Sequence, residues 1–442
     1  MNDTEPKSRP VPVIVSRSDH NISRANISPN ALKVLYRLHS AGFAAFLVGG
    51  GVRDLLLDRH PKDFDVVTDA SPDQIQEVFR NARLIGRRFR LAHVRFGRDI
   101  VEVATFRAAG AEPTDEDRAH SDSGRILRDN VYGTIDEDVW RRDFTINALY
   151  YNIADFSVWD YTSGFEDIRS RTLRLIGDPE TRYREDPVRM LRAIRFAAKL
   201  DFELAPEAAA PIASLGVLLR DVPPARLFDE LLKLFHSGHG EKSFDLLVRY
   251  DLLRYLFRDT AELLQGPDAD KIAAFIRLGL SNTDERVRAD KPVTPMFLYA
   301  VFLWFPIRAL ALKLQQDGWN ETHAIIEACQ RVVASQQTTF PRRFSSPMKE
   351  LLAMQWRFNE RQGVRAARLL QHKRFRAAYD FFMLRSRCGE VPAEEAQWWT
   401  EIQQLPPEEQ QKVIGSKRRQ GRRRRRGRGR RSEPSSMTDA AP

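Results

Sequence analysis

The chain has 442 residues, more than one hydrophobic core usually organises, and this predicts two or three domains. Only two cysteines occur, far apart, which excludes a disulfide framework or a cysteine-based zinc cluster and favours the reducing cytoplasm. The longest apolar run, Pro295–Ile307, is too short to span a bilayer and predicts a buried helix.

The formal net charge of +10 is concentrated near the C-terminus. The stretch Lys417–Arg431 holds 11 basic residues in 15, and without it the chain carries −1. Self-repulsion prevents such a run from forming a core, so we predict a disordered tail that binds polyanions non-specifically through their phosphates; a merely solubilising tail is the alternative. Its candidate contact residues are Arg422, Arg423, Arg424, Arg425 and Arg426.

The first 27 residues are polar and contain prolines, which predicts a disordered segment that lacks the pattern of a signal peptide. Next come a helix over residues 28–40, a buried strand in "FAAFLVGG", a helix in "VRDLLL" and a strand in "DFDVVTD". A helix capped by Ser71 precedes a hairpin formed by "RLAHVRFG" and "DIVEVATFRA". Residues 109–130 are polar and aperiodic, which predicts a mobile loop.

Strand patterns fade after Asp178, and helical patterns dominate to about Leu405. The predicted fold class is therefore α+β, with a small α/β head followed by a long all-helical body. The predicted divisions are a disordered N-terminal segment (1–27), a head (28–178), a helical neck (179–240), a helical body (241–410) and a disordered arginine-rich tail (411–442).

Two aspartates follow the glycine-rich stretch "GGGVRD". Side chains two apart in a strand share a face, so Asp63 and Asp65 are expected to point the same way. Glu102, inside the apolar strand "IVEVATF", is the candidate third carboxylate, since an unpaired charge there is costly. Carboxylate oxygens are ligands that Mg2+ prefers. Two such ions could bind the attacking and the leaving oxygen of a phosphoryl transfer. The alternative is that these residues are solvated acids at the end of a strand.

The glycine turn has neither the spacing of a dinucleotide fingerprint nor the Lys-Ser/Thr of a Walker loop. It still permits close approach of a ligand to the backbone at a helix start. This predicts a phosphate cradle at Gly49 and Gly50, to which Arg53 would add positive charge.

Three long motifs, which begin at Leu47, Arg141 and Glu185, carry a family resemblance: "LVGGGVRDLLLDRHPKDFDVVTDA", "RRDFTINALYYN" and "EDPVRMLRAIRFAAKL". They resemble the signature motifs of class II nucleotidyltransferases of the polymerase-β superfamily, which include tRNA CCA-adding enzymes and bacterial poly(A) polymerases. The resemblance spans roughly residues 28–240. It implies Mg2+-dependent transfer of a nucleoside monophosphate from an NTP to an RNA 3′ hydroxyl, with Mn2+ as a substitute, by a catalytic head and a base-reading, RNA-binding neck.

In the second motif the pattern makes Asp143 the cap of a short helix. The resemblance further implies that the motif handles the sugar and phosphates of the incoming nucleotide, through Arg141, Arg142, Asp143 and Asn147. Asp143 is thus the alternative to Glu102 as the third catalytic carboxylate.

In the third motif Arg189, Arg192 and Arg195 fall on one stripe of a helix, with apolar residues opposite. A solvated arginine face would explain this pattern. The resemblance implies instead that Asp186 and Arg189 hydrogen-bond the Watson–Crick edge of the incoming base in place of a template, with Arg192 also in the nucleotide site. Carboxylate accepts from an exocyclic amine, and arginine donates to a ring nitrogen.

These motifs do not separate poly(A) addition from CCA addition. The segment 80–98 carries seven arginines, and "GRRFRLAHV", with Arg87, Arg88 and Arg90 as candidate RNA contacts, resembles poly(A) polymerases, as does "ARLFDELLKLF" from Ala225. The nine histidines form no H…HD…D phosphohydrolase set. The predicted function is template-independent addition of AMP from ATP to RNA 3′ ends in mRNA processing and RNA decay. CCA addition and an inactive RNA-binding relative stay open as alternatives.

A cytoplasmic monomer is expected, and the resemblance suggests RNA-decay machinery among its partners. Basic pieces of the helical body could follow phosphates, although solvated helix faces are the simpler interpretation; they contain Arg342, Arg343, Arg374 and Arg376.

The positive charge of the tail predicts how RNA binding depends on salt. Deletion of Lys417 onward should weaken RNA affinity and flatten its dependence on salt, because each lost phosphate contact on single-stranded RNA lowers the log–log slope by about 0.7. Nucleotide selection should not change. Fluorescence anisotropy with a labelled RNA over a salt series measures both quantities, and identical affinity of full-length and truncated chains at low and moderate salt would contradict the prediction.

Overall fold

The computed structural model describes residues 11–86, 90–108 and 132–415. The chain forms two compact units, Met1–Leu256 and Phe257–Pro442. Several predicted features lie outside the described residues: Arg87, Arg88, the loop at 109–130, and the tail arginines Arg422, Arg423, Arg424, Arg425 and Arg426.

The strands described in the first unit are β1 (Val13–Val15), β2 (Ala45–Val48), β3 (Asp65–Thr68), β4 (Ala82–Ile85), β5 (Leu91–Phe96), β6 (Asp99–Thr105), β7 (Leu149–Asn152), β8 (Val158–Asp160), β9 (Thr172–Leu173) and β10 (Glu203–Leu204). Eight of them form one mixed sheet in the order β1-β8-β7-β2-β3-β6-β5-β4. The pair β3 and β6 is parallel and sets Asp65 beside Glu102. The predicted hairpin is confirmed as the antiparallel pair β5 and β6.

The centre of this sheet is a tightly packed aromatic core. Strand β2 is buried along its whole length. The ring of Phe46 lies 6.1 Å from Phe106, 6.2 Å from Tyr150 and 5.1 Å from Trp159, measured between centroids. Because side chains in such a core interdigitate in fixed rotamers, the loops at the ends of β2, β3 and β7 start from fixed positions.

The prediction of a disordered segment over residues 1–27 is wrong for its second half. Val13–Val15 pairs antiparallel with β8 and completes the edge of the sheet. Ile22 and Ile27, at 1% and 3% exposure, bury side chains against the head. The apolar residues of "VPVIV" are too few to establish a period, and they gain order from backbone hydrogen bonds to β8.

Helices surround the sheet and continue beyond it. Those described in the first unit are α1 (Pro29–Ser40), α2 (Gly50–Leu56), α3 (Pro72–Val78), α4 (Ile135–Arg141), α5 (Gly164–Arg169), α6 (Pro179–Glu185), α7 (Val188–Leu200), α8 (Pro206–Ala209), α9 (Ile212–Leu215), α10 (Pro224–Phe235) and α11 (Gly240–Arg249). The predicted Ser71 cap is confirmed, since Ser71 and Gln74 form a capping box at the start of α3. On α7 the apolar residues are buried and the three predicted arginines form the half-buried stripe.

The second unit is helical throughout its described residues. Its helices are α12 (Arg258–Leu263), α13 (Ala269–Arg288), α14 (Pro295–Gln316), α15 (Glu321–Ser335), α16 (Arg342–Met354), α17 (Gly363–Leu370), α18 (Phe375–Arg387), α19 (Ala393–Gln404) and α20 (Pro407–Gly415). Helix α14 is long and apolar enough to cross a membrane by length and composition, with a mean hydropathy of 1.6, but 67% of its most apolar window is buried in the protein. It is a core helix, and the predicted α+β class with a helical body is confirmed.

Candidate active site

The predicted glycine turn joins β2 to α2 and is open on one side. Gly49 has a φ of 73°, a left-handed conformation that side chains rarely adopt. A Cβ atom there would lie 3.8 Å from Oδ2 of Asp65 and 3.9 Å from Nη1 of Arg142. The turn therefore brings backbone, one carboxylate and one guanidinium to the same point.

The two aspartates of the D-x-D motif lie beside this turn, but only one is in a strand. Strand β3 begins at Asp65, and Asp63 precedes it in an exposed loop. The parallel pairing places Glu102 next to Asp65, as the sequence predicts for a third carboxylate. Oε1 of Glu102 lies 3.4 Å from Nε2 of His93 on the neighbouring strand, and its side chain is half exposed.

The electrostatics of Asp65 are unfavourable without a bound cation. Burial of its carboxyl group, together with the nearby charges of Glu102 and Asp63, raises the pKa of Asp65 to about 6, although Arg142 acts in the opposite direction. Although the residue as a whole retains solvent exposure, its carboxyl group faces two other acids in a crowded setting. No three potential metal ligands form one preformed group within the described ranges. The arrangement fits a cation held by two carboxylates whose remaining ligands come from substrate phosphates.

Arg142 is fixed in place by two partners. Its Nε and Nη2 donate to Oδ2 of Asp138 at 3.1 and 2.8 Å, and its Nε also donates to the Tyr150 hydroxyl at 2.8 Å. The hydroxyl in turn donates to the same Asp138 oxygen at 2.8 Å. Burial lowers the pKa of Arg142, but Tyr150 and Asp138 raise it by more, so the guanidinium stays charged. These bonds leave Nη1 directed at the glycine turn.

Asp143 is the centre of a second polar cluster. Its Oδ2 accepts from Nε of Arg192 at 2.9 Å and also from Nη2. Its Oδ1 accepts from the backbone N–H of Phe144 at 2.9 Å and from Nδ2 of Asn147 at 3.2 Å. Burial raises the pKa of Asp143, but the ion pair with Arg192 and these hydrogen bonds lower it by more. Both oxygens are occupied, which favours Glu102 over Asp143 as the third carboxylate.

Arg53 is an interior residue and not a surface cation. It is 2% exposed. Its Nη1 donates to Oδ1 of Asn147 at 2.6 Å, and its Nε and Nη2 donate to Oδ1 of Asp54 at 2.8 and 2.6 Å. Its guanidinium lies 5.3 Å from the ring of Phe196 on α7. In this structure Arg53 positions Asn147, and its contact with a phosphate stays a prediction.

The candidate base-reading residues are each held by a neighbour. Oδ2 of Asp186 accepts from Nη2 of Arg226, on α10, at 2.7 Å. Nη1 of Arg189 donates to Oε2 of Glu185 at 2.8 Å and to the carbonyl of Arg182 at 2.7 Å. Among the described residues, Arg189 makes hydrogen bonds through Nη1 alone, and its other nitrogens keep donors for a ligand.

The remaining predicted residues are Arg141, Arg90 and Gly50. Nη1 of Arg141, the last residue of α4, donates to the carbonyl of Ala108 at 2.5 Å. Arg90 is exposed in the segment before β5. Gly50 is the first residue of α2, directly after the turn.

Sequence reasoning missed the partners that fix the site, namely Asp138, Tyr150 and Arg226. Asp138 carried a usable signal, since it lies four residues before Arg142, the spacing at which opposite charges pair on a helix, although no helix is predicted there. Arg226 lies within "ARLFDELLKLF", which was singled out only for its resemblance. Tyr150 gave no signal, because a tyrosine in an apolar strand is typical of a core.

A mixed sheet that carries a glycine turn and paired carboxylates, followed by a helix with the candidate base-reading residues at its start, is the arrangement of a nucleotidyltransferase head. Three family models match the chain: "Poly A polymerase head domain" over 45–174, "Probable RNA and SrmB-binding site of polymerase A" over 201–264 and "Polymerase A arginine-rich C-terminus" over 317–432. Poly(A) polymerase I of Salmonella typhi is 48% identical over 415 residues, which cover 92% of this chain and 89% of that protein.

More distant relatives share the fold. A CCA-adding enzyme of Lactobacillus helveticus is 36% identical over 305 residues, which cover 69% of this chain and 70% of that protein. The solved Thermotoga maritima CCA-adding enzyme, in complex with tRNA, matches with a TM-score of 0.59 at 19% identity and covers 88% of this chain and 85% of that chain. The chain belongs to the bacterial poly(A) polymerase I family, class II nucleotidyltransferases related to CCA-adding enzymes. Its enzyme class is polynucleotide adenylyltransferase.

Proposed function

We propose that the chain adds AMP from ATP to RNA 3′ ends without a template and releases pyrophosphate. The observation that supports this best is the ion pair between Asp186 and Arg226. A carboxylate held by an arginine of another helix cannot reorient freely, so the pocket presents one fixed set of partners to one base. A CCA-adding enzyme must accept two different bases in turn, which requires that these side chains adapt.

Asp63 and Asp65 would hold Mg2+, or Mn2+ in its place, with Glu102 beside them. The two carboxylates and the triphosphate oxygens together supply the oxygen ligands that this cation prefers. When bound, two such ions supply positive charge for the departing pyrophosphate and favour ionisation of the RNA 3′ hydroxyl. The carboxylates themselves orient that hydroxyl toward the α-phosphate.

Arg142 and the glycine turn would hold the triphosphate. Nη1 of Arg142 is directed at Gly49, where the absence of a side chain lets phosphate oxygens approach the backbone. Because Asp138 and Tyr150 occupy the other nitrogens, Arg142 is preorganised and loses little entropy when phosphate binds. Asp143 and Asn147 would orient the ribose, with Arg192 in support.

The base would be read by Arg189. Its free nitrogens can donate to a ring nitrogen, while Asp186, already paired with Arg226, shapes the pocket beside it. RNA would reach the head along the neck and the basic tail, in the cytoplasm, and we propose a monomer that works with RNA-decay machinery.

The metal proposal predicts that Asp65→Asn and Asp63→Asn each lower AMP incorporation by roughly 100-fold or more, as expected when a group that stabilises developing charge is lost. Incorporation of radiolabelled AMP across a Mg2+ titration measures this. The control is Asp73→Asn, an exposed acid in the first turn of α3, which should behave as wild type. Near wild-type turnover of Asp65→Asn at saturating Mg2+ would refute the metal role.

The choice between poly(A) and CCA addition is tested by product length and composition. The chain should extend an unstructured RNA with ATP alone into long tails and should use CTP, GTP or UTP poorly. Gel analysis of reactions with each NTP singly, and with a tRNA that lacks its 3′ CCA, gives the answer. Addition of C, C and A to the tRNA followed by a stop would establish the alternative function.

The base-reading proposal predicts that Arg226→Ala relaxes nucleotide selection, because Asp186 becomes free to reorient. The ratio of kcat/KM for ATP to that for CTP should fall by roughly tenfold, equivalent to about 1.4 kcal/mol. Arg226→Lys, which keeps a donor, should restore part of the ratio. Arg249→Ala, which removes an exposed ion pair with Glu203, is the control. An unchanged ratio in Arg226→Ala would show that this ion pair does not set selectivity.

A further inference from the structure

The second unit contains an open cavity of about 630 Å³ between α13, the start of α14 and α18. The volume lies in the range typical of small-molecule sites and exceeds what a single side chain leaves empty. Its wall combines aromatic and aliphatic surface, from Phe297, Tyr379, Met383 and Leu384, with a basic rim.

The rim is arranged along one face of α18. Arg376, Asp380 and Arg387 are spaced so that they share one stripe of the helix, and Lys373, two residues before the helix begins, extends this stripe; all four line the cavity. At 1.5 Å per residue the helical part of the stripe extends roughly 16 Å, which is long enough for a few nucleotides of a single strand. Arg286 of α13 faces the stripe from the opposite wall.

The charges at the two ends of the stripe have no acid to neutralise them. Lys373 and Arg387 are exposed and form no ion pair with a described residue. In the middle of the stripe, Nε of Arg376 lies 3.0 Å from Oδ1 of Asp380. The positive charge of Arg286 also favours the ionised form of that carboxylate. Glu285 also lines the cavity, so two acids face five basic residues and the lining keeps a net positive charge.

Aromatic surface accompanies these cations. The Arg376 guanidinium lies 5.5 Å from the ring of Tyr379, and the half-buried ring of Phe297 forms another part of the wall. A track of cations beside aromatic and guanidinium planes is the combination that binds single-stranded nucleic acid, through phosphate charge and base stacking. An acidic peptide would use the charge but would gain less from the aromatic wall.

We propose that this cavity binds a single-stranded segment of the RNA substrate, with Lys373 and Arg387 on phosphates at opposite ends of that segment and a base against Phe297. The proposal rests on the proposed function in that RNA is the substrate. It assigns to the helical unit a second contact that is independent of the head and of the tail.

The test compares Lys373→Glu/Arg387→Glu with the matched pair Lys313→Glu/Arg361→Glu, which makes the same charge change at exposed residues of the same unit outside the cavity. Both are made in the full chain. Anisotropy with labelled oligoadenylate of 5 and 20 nucleotides, sizes chosen to fall below and above the length of the stripe, measures affinity over a salt series. The cavity variant should bind the longer RNA roughly tenfold more weakly than the control variant, with a log–log salt slope lower by about 1.4, and should lose little on the shorter RNA.

AMP incorporation at saturating RNA should be equal in the two variants. Equal affinity of both for the longer RNA would overturn the proposal. Unchanged RNA affinity with loss of binding to labelled polyglutamate would assign the cavity to an acidic protein partner and overturn it too. Absence of AMP incorporation by the unmodified chain would contradict the proposed function but not the cavity proposal, because RNA binding to the cavity is tested by affinity and not by activity.

Discussion

The ion pair between Asp143 and Arg192 connects the two halves of the candidate active site. Asp143 follows α4 and precedes the sheet strand β7, whereas Arg192 lies on α7, the helix that begins just after Asp186, a candidate base-reading residue. The pair is mostly buried, so loss of one partner would leave a charge whose desolvation costs about 3–5 kcal/mol. Because the same carboxylate also accepts from Asn147, which Arg53 holds in turn, the sheet, the glycine-turn helix and α7 share one hydrogen-bond network. The position of α7 relative to Asp65 of β3 depends on this contact.

Ion pairs also fix the residues around the start of α7. Arg226 of α10 holds Asp186, and Glu185 holds Arg189, so the candidate base-reading residues are fixed from both sides. Selectivity by a pocket of this kind arises from groups that are already oriented, because a wrong base then leaves donors or acceptors unpaired. In the proposed function, a rigid protein pocket would replace the complementary strand that selects the base in templated synthesis. The ion pairs Asp143–Arg192 and Asp186–Arg226, which join the segment before β7, α7 and α10, would supply that rigidity.

Much of this could be predicted from the sequence. The strand periods, the glycine turn and the position of Glu102 beside Asp65 follow from local pattern and from the alternation of side chains. What could not be predicted is which residue each charged or polar side chain of the site would pair with. Arg53 looks like a cation available to phosphate, yet it is buried under Phe196, because only the folded chain brings Asn147 and Asp54 to its donors. Likewise, Tyr150 is a core residue by pattern, and its hydrogen bonds to Arg142 and Asp138 arise from the pairing of distant elements.

Asp65 differs from the other buried charges of the head in that like charges surround it. Arg53, Arg142 and Asp143 are each compensated by oppositely charged partners, as buried charges must be. Asp65 is instead placed beside Glu102 and Asp63, which raise its pKa to about 6 together with burial of its carboxyl group. Stable proteins satisfy local rules nearly everywhere, and violations concentrate at functional sites. Repulsion among these acids favours a cation, and the glycine turn next to them leaves room for the phosphates that would complete its ligands. This repulsion among the acids supports the proposal that metal and nucleotide bind together at this site.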